Sequence, residues 1–312
     1  MHNWIILKEC KHSMNKVGIV ILNYVNWEVT VKCIKSIIES RITVPYTILV
    51  IDNGSNNNSI DCIKKNVVSV QNNVVYLQLE NNIGFARGNN IGIQWCEENN
   101  IDYCLLINSD IIVSADCLDV LFDVFRKKDD AIIVGPQILD RDYNLTESSL
   151  MEKTRIIDAL GIFKCFKPKR INERDKNITE PVYSISGCCF MVDVVRFIEL
   201  GMFDSNTFLY NEENILAEKV QRSYYREYFT SETYVVHEHA ASSGGKKDFV
   251  YIELLKSTLY YWKQYRGYNR GALMLFLYAW LFKMQIIKLK GNNIHPLKIV
   301  RNGKQYLREL YK

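Results

Sequence analysis

Three short clusters of acids and amides carry the side chains best suited to reaction chemistry. Residues 105–113 read LLINSDIIV, so Asn108-Ser109-Asp110 separates two apolar runs with one certain carboxylate. Hard divalent ions take oxygen ligands, commonly one or two carboxylates with substrate phosphate oxygens completing the shell. Asp110 suffices for that in principle, although the same three residue types are ordinary turn formers. Glu212-Glu213 follow the aromatic run Phe208-Leu209-Tyr210. Two close carboxylates resist joint ionisation, which fits one of them for general-base work; the plain alternative is a pair of first-turn acids on a helix. Asp52 closes an apolar run ahead of Asn53-Gly54-Ser55, either as a turn residue or as an acceptor for a base or ribose lying across a sheet edge. NNIGFARGNNIG (81–92) is a glycine-punctuated passage from loop to helix that can offer backbone N–H groups and Arg87 to a phosphate. His237 and His239 alternate near a strand end, as metal or phosphate contacts or as structural histidines.

Such side chains act together only if the backbone delivers them to one edge. VGIVILNY (17–24), YTILVID (46–52), VVYLQL (74–79), YCLLI (103–107) and AIIVG (131–135) are short apolar runs of β type. WEVTVKCIKSIIES (27–40) has helical spacing at Val31, Ile34, Ile37 and Ile38 behind an Asn26 cap, and helices are predicted over 83–99 and near 115–127. Short strands alternating with helices predict an α/β fold with a mostly parallel central sheet covered on both faces. Ligands of such sheets bind outside the carboxyl ends of the strands. The Asp52 and Asp110 clusters each follow a strand immediately. Farther on, 140–180 reads as a polar surface excursion, 184–193 as a strand, 211–225 as a helix opening with acids, and 232–245 as a strand running into a loop.

A length of 312 residues allows one large domain or a domain with an appendage. Nine cysteines without a C-x-x-C pair favour a reducing cytoplasm over a disulfide framework or a zinc site. Residues 1–14 read as an N-terminal extension, without the uninterrupted apolar region of a signal peptide. The net charge of +4 is unevenly spread: beyond residue 250 stand twelve Lys and Arg against two acids, so this segment carries +10 and the first 250 residues carry −6. An acidic body with a basic tail argues against a nucleic-acid-binding protein.

The order and spacing of VGIVILNYVNWEVTVKCIKSI, ILVIDNGSNNNSI, NNIGFARGNNIGI, YCLLINSDIIV, SGCCFMV, FDSNTFLYNEENI and VVHEHAASSG add what no single motif supplies. From about residue 17 to 244 the chain resembles the family 2 glycosyltransferases of GT-A fold, rhamnosyltransferase-like members above all. The resemblance implies a Rossmann-like nucleotide-binding half within a catalytic domain at 15–247, followed by a helical extension at 248–312. It implies that Asn23 and Tyr24 line the nucleotide pocket, that Asp52 contacts the base, and that Gly54 and Ser55 shape that edge. Gly84, Arg87 and Asn89 would approach the ribose or phosphates. Asn108-Ser109-Asp110 would be the metal motif in an N-x-D form, with Asn108 and Ser109 on the donor and Asp110 on the ion. Ser186 and Gly187 would lie beneath the donor sugar and acceptor, Glu212 and Glu213 would supply the base, and His237 would stand near metal and diphosphate.

The resemblance further implies an inverting transfer, aided by Mg²⁺ or Mn²⁺, from a dTDP- or UDP-sugar to a saccharide or lipid-linked saccharide. The setting would be bacterial surface-polysaccharide synthesis (capsule, O-antigen or cell wall). The alternative is a catalytically silent relative that binds nucleotide-sugar or scaffolds a membrane glycosylation complex. A Rossmann oxidoreductase is disfavoured, because no G-x-G-x-x-G follows the first strand. The chain departs from the family pattern at Asn108 and Glu213, at Ile215 where relatives often have another Asp, and in 219–227, which lacks a Lys-x-x-Gly turn.

GALMLFLYAWLFKMQIIKLKG (271–291) has an apolar run of eleven residues ending at Phe282, too short to span a bilayer, which takes about 20 residues. With Tyr278 and Trp280 as anchors and Arg266, Arg270, Lys288 and Lys290 beside them, it suits an anionic membrane surface at the inner face of the plasma membrane. The competing expectation is a helical hairpin packed on the catalytic body or on another subunit.

Overall fold

The computed structural model describes residues 16–67, 73–146, 150–151, 153, 156, 177–238 and 247–312. The N-terminal extension, His239 and most of the 140–180 excursion lie outside them. Four parallel strands, β1 (Val17–Asn23), β2 (Tyr46–Asp52), β3 (Val74–Gln78) and β4 (Tyr103–Asn108), stand in the order β3-β2-β1-β4. The sheet continues as β10 (Cys189–Asp193), β6 (Ala131–Asp140), β11 (Arg226–His237) and β5 (Ile111–Val113), with β8 (Thr179–Val182) also on β11. β10 runs antiparallel to both β4 and β6, which divides the parallel block from the rest. A separate two-stranded pairing joins β7 (Leu150–Met151) to β9 (Ser184–Ile185).

The central strands β1, β2 and β4 are mostly apolar because both faces are covered. Ile19, Ile21, Ile48, Val50, Leu105 and Ile107 point into one core, with α1 (Trp27–Glu39), α2 (Ser59–Asn66) and α4 (Cys117–Lys127) packed over it. Val20, Leu49, Ile51, Cys104 and Leu106 point the other way, under α3 (Phe85–Glu98), α5 (Val194–Glu199) and α6 (Glu212–Val220). A third core holds α7 (Lys247–Gln264), α8 (Arg270–Leu289) and α9 (Pro296–Leu310) around Leu259, Trp262, Trp280 and Ile299. Ile215 of α6 belongs to this third core. Ile215 is therefore one of the apolar contacts between the sheet body and the helical extension, as is the Phe208–Phe249 ring pair.

Several local expectations need revision. The strand expected at 184–193 is two strands, broken at 186–188. The helix expected at 211–225 stops at Val220, and β11 begins at Arg226, six residues earlier than the alternation suggests. Asn26 stands at the N-cap of α1 but makes no capping bond with its side chain. The extension is three helices, with α8 packed by one face into their shared core; Trp280, expected as a surface anchor, is buried in that core instead.

Candidate active site

Register brings the strand ends together. Asn23 pairs with Asp52 across β1–β2, and Leu22 pairs with Asn108 across β1–β4. β1 is the strand from which the order runs outward on both sides, the switch point at which ligands of open α/β sheets bind. The antiparallel β10 enters beside the end of β4: Cys189 pairs with Ile107, and the Asn108 N–H donates to the Cys188 carbonyl at 2.8 Å. Gly187 and Asn108 thus share one rim.

On the β1–β2 side, the Asp52 carboxylate is turned inward. It is fully buried and accepts from Asn23 Nδ2 at 2.6 Å, from Ser55 Oγ at 2.5 Å and from the Ser55 N–H at 3.2 Å. Thr30 Oγ1 donates to Asn23 Oδ1 at 2.7 Å, and the Val25 N–H donates to Ser55 Oγ at 2.7 Å. This closed network fixes the loop that presents exposed Tyr24. Gly54 has φ +70°, and a side chain there would overlap the Asn81 backbone, so only glycine fits. Asn53, a residue the motifs did not single out, donates to the Asn82 side chain and the Gly84 carbonyl and accepts from the Ile83 N–H.

Gly84 (φ +91°) precedes α3, where Arg87 is exposed and its Nε donates to the Ser205 carbonyl at 2.9 Å. Asn89 is buried, and its amide donates back to the Phe85 carbonyl. Asn90 is the more consequential amide, because it bonds both the carbonyl and the N–H of Phe203. That pair anchors the 203–211 loop to α3, and the Phe85 N–H donating to the Phe208 carbonyl at 2.9 Å adds a second tie.

Asp110 and His237 meet across β5–β11, with Oδ1 3.2 Å from Nε2 and both side chains about 15% exposed. Burial works to lower the His237 pKa, but hydrogen bonds to Asp110 and Cys188 outweigh it and raise it to about 10. Among the described residues no three His, Cys, Asp or Glu converge as a cage. A divalent ion there would take the Asp110 carboxylate and, once the ion displaces its proton, the His237 imidazole, with substrate oxygens completing the shell. The mixed oxygen and imidazole donors suit Mn²⁺ at least as well as Mg²⁺.

The third group is acidic. Glu213 Oε1 accepts from the Gly187 N–H at 3.2 Å, and a side chain at Gly187 would overlap that oxygen. Glu213 is partly buried, and Ser186, the neighbour of Gly187 in the chain, has its Oγ 3.5 Å from Cys188 Sγ. Burial raises the Glu213 pKa, opposed by N–H groups that include that of Gly187. Glu212 is 4% exposed with Oε1 unpartnered; burial and then the charge of Glu213 push its pKa to about 8. Glu227, absent from the motifs, is a third buried carboxyl. Its Oε2 accepts from the Ile185 N–H at 3.0 Å, its Oε1 has no partner, and burial raises it to about 8. A buried carboxylate on a backbone N–H, a carboxylate–imidazole pair and a switch-point sheet edge thus lie on one side of the sheet.

The glycosyl transferase family 2 profile matches residues 18–198. Among characterised proteins, the chain is 24% identical over 201 residues to the low-salt glycan biosynthesis hexosyltransferase Agl10 of Haloferax volcanii, covering 64% of this chain and 60% of that one. It is 24% identical over 219 residues to the N-acetylglucosaminyl-diphospho-decaprenol L-rhamnosyltransferase of Mycobacterium tuberculosis, covering 64% and 69%. The chain thus spans less than two thirds of the Agl10 length. Among solved structures, GalNAc-T7 with UDP, GalNAc and Mn²⁺ superposes with a TM-score of 0.62 at 16% identity, over 82% of this chain and 49% of that one. S. aureus TarS 1-349 superposes at 0.52 and 12% identity, over 86% and 71%. These likenesses establish the expected GT-A architecture. With the family profile covering more than half of its length, the chain belongs to glycosyl transferase family 2.

Proposed function

We propose that the protein transfers a sugar, with inversion, from a dTDP- or UDP-sugar to a saccharide or lipid-linked saccharide in the synthesis of a bacterial surface polysaccharide. The observation that carries this reading is the seat of Glu213: its carboxylate rests on the Gly187 N–H, on the rim shared with the Asn108–Asp110 strand end. Glu213 removes the proton of an acceptor hydroxyl as that oxygen bonds to the anomeric carbon. The bond from that carbon to the diphosphate breaks on the opposite face, and its electron pair leaves with the nucleoside diphosphate. The raised pKa of Glu213 makes it a stronger base than an ordinary carboxylate, and the Gly187 N–H steadies the ionised form. Asp110 and His237 would hold Mg²⁺ or Mn²⁺, which when bound neutralises the diphosphate as a Lewis acid. Arg87 stands at the N-terminus of α3, suited to a phosphate.

The tail supports action at a lipid surface. The eleven-residue apolar run lies within a longer helix. Contrary to the expectation from that run, α8 as a whole is long and apolar enough to cross a membrane, with 28% of its apolar window buried. Leu275, Tyr278, Phe282 and Leu289 are more than half exposed, and Arg270, Lys288 and Lys290 are exposed near the two ends of this stripe. An apolar face bordered by cations fits an anionic bilayer surface at the cytoplasmic leaflet.

Transfer and hydrolysis should be followed with a panel of radiolabelled dTDP- and UDP-sugars, with Mn²⁺ or Mg²⁺ and saccharide acceptors. Turnover should fall at least about a hundredfold in Glu213→Gln and in Asp110→Ala, the cost expected of a lost general base or charge-stabilising group. Donor binding without turnover on every acceptor would return the chain to the catalytically silent alternative.

A further inference from the structure

The residues just ahead of the acidic pair are strained. Tyr210 and Asn211 both have positive φ, 75° and 66°. Asn tolerates the left-handed region, but Tyr does not adopt it readily. Asn211 is the N-cap of α6, so this kink sets the direction in which Glu212 and Glu213 leave the loop. Something must hold it.

The holder is α7. One face of this helix, with Leu255, Leu259 and Trp262, fills the third core. The same helix also buries Ser257, Thr258 and Tyr260, whose polar groups are costly inside a protein unless they are bonded. Ser257 Oγ lies 2.6 Å from the Leu209 carbonyl, and Asn211 Nδ2 donates to Thr258 Oγ1 at 3.2 Å. Tyr260 and Tyr265 both donate to Asp204 Oδ2, at 2.8 and 2.6 Å, and Asn206 Nδ2 donates to the Tyr260 hydroxyl. Burial would raise the Asp204 pKa, but these bonds with those from Asn206 outweigh it and keep the carboxyl below the usual range. The 204–211 loop is thereby gripped on its second side, opposite the ties to Asn90 and Phe85 of α3.

We propose that α7, with Tyr265 directly after it, is a positioning element of the acceptor side of the site: Ser257, Thr258, Tyr260 and Tyr265 hold the Tyr210–Asn211 kink and so set Glu213 against Gly187. The inference rests on Glu213 being the base, and none of the four residues is assigned a contact with substrate. The tail is then a structural part of the catalytic machinery as well as a candidate anchor.

The test uses the full chain with Ser257→Ala, Thr258→Val and Tyr265→Phe, singly and together, beside the hydroxyl-keeping Thr258→Ser. Hydrogen exchange reads the loop independently of any activity. Amides of 209–215 should exchange about five- to tenfold faster in the variants, as loss of about 1 kcal/mol implies, while 17–52 are unchanged. Turnover should fall about ten- to a hundredfold with donor affinity preserved. The acidic limb of the pH–rate profile should shift, and Thr258→Ser should restore it. Unchanged exchange at 209–215 in the folded triple variant would overturn the proposal, as would equal losses in donor binding and turnover. Faster exchange in a chain that transfers no sugar would leave the grip standing and sink the transfer reading instead.

Discussion

Glu227 lies behind the reacting groups, with one oxygen on the Ile185 N–H and the other without a partner. Its pKa rises from 4.5 to about 8 on folding, chiefly through burial, so between those values the folded chain binds the extra proton. Stability from this group is therefore complete at acidic pH and is lost as pH climbs toward 8, by at most about 1.4 kcal/mol per pH unit. Glu227→Gln keeps an acceptor for Ile185 and removes the titration. Thermal unfolding from pH 5 to 9 should show a midpoint that declines less steeply in the variant, with the variant the more stable at the alkaline end. Parallel curves would mean that Glu227 does not hold this proton. Asp110 and Glu213 were legible in the sequence because an acid directly after a strand or opening a helix stands out by type. Glu227 stands at the start of β11, in a stretch where the sequence shows no alternation, and only the approach of the Ile185 N–H accounts for its seat. The inward turn of Asp52 was equally hidden, since Asn23 and Thr30 reach it through register, which spacing does not encode.

α3 shows how one element does two jobs. The motif NNIGFARGNNIG reads as a phosphate loop, yet only Gly84 lies ahead of the helix; Gly88 and Gly92 are inside it. A side chain at Gly92 would overlap Val20, and one at Gly88 would come within 2.8 Å of Leu22. The glycines let the helix lie close against β1, which is what brings Gly84 and Arg87 to the rim. Gly92→Ala should cost about 1–3 kcal/mol in denaturant unfolding through overpacking, despite alanine's better helix propensity. A neutral or stabilising result would show that the contact relaxes freely. Strand and helix order were readable from apolar period alone, and α1, α3 and α4 fell within two or three residues of expectation. β10 was not readable as antiparallel, because direction in a sheet is set by where the chain returns after the 140–180 excursion, not by its own residues.

At the scale of the molecule, the acidic body and basic tail meet through polar as well as apolar contacts. Glu218 of α6 lies 3.6 Å from Arg266 Nη1, accepts from the Tyr261 hydroxyl, and sits one turn from Ile215 in the third core. The basic segment's composition was plain in the sequence; that its first helix would turn a polar face to the acidic loop was not, because the partners lie more than forty residues apart. If α8 docks on lipid, the full chain should float with phosphatidylglycerol vesicles at low salt and less so at high salt, and Leu275→Glu with Phe282→Glu should leave it in solution. A wild-type chain indifferent to such vesicles would count against the anchor. The grip of α7 on the 204–211 loop also has a consequence for biogenesis. A ribosome makes Glu213 well before Ser257, Thr258 and Tyr265, so the nascent sheet and its nucleotide edge can form while Leu209 and Asn211 still bond to water. On the α7 proposal, the acidic pair reaches its final seat only when the tail has emerged, so a base at Glu213 would be the last part of the site to form.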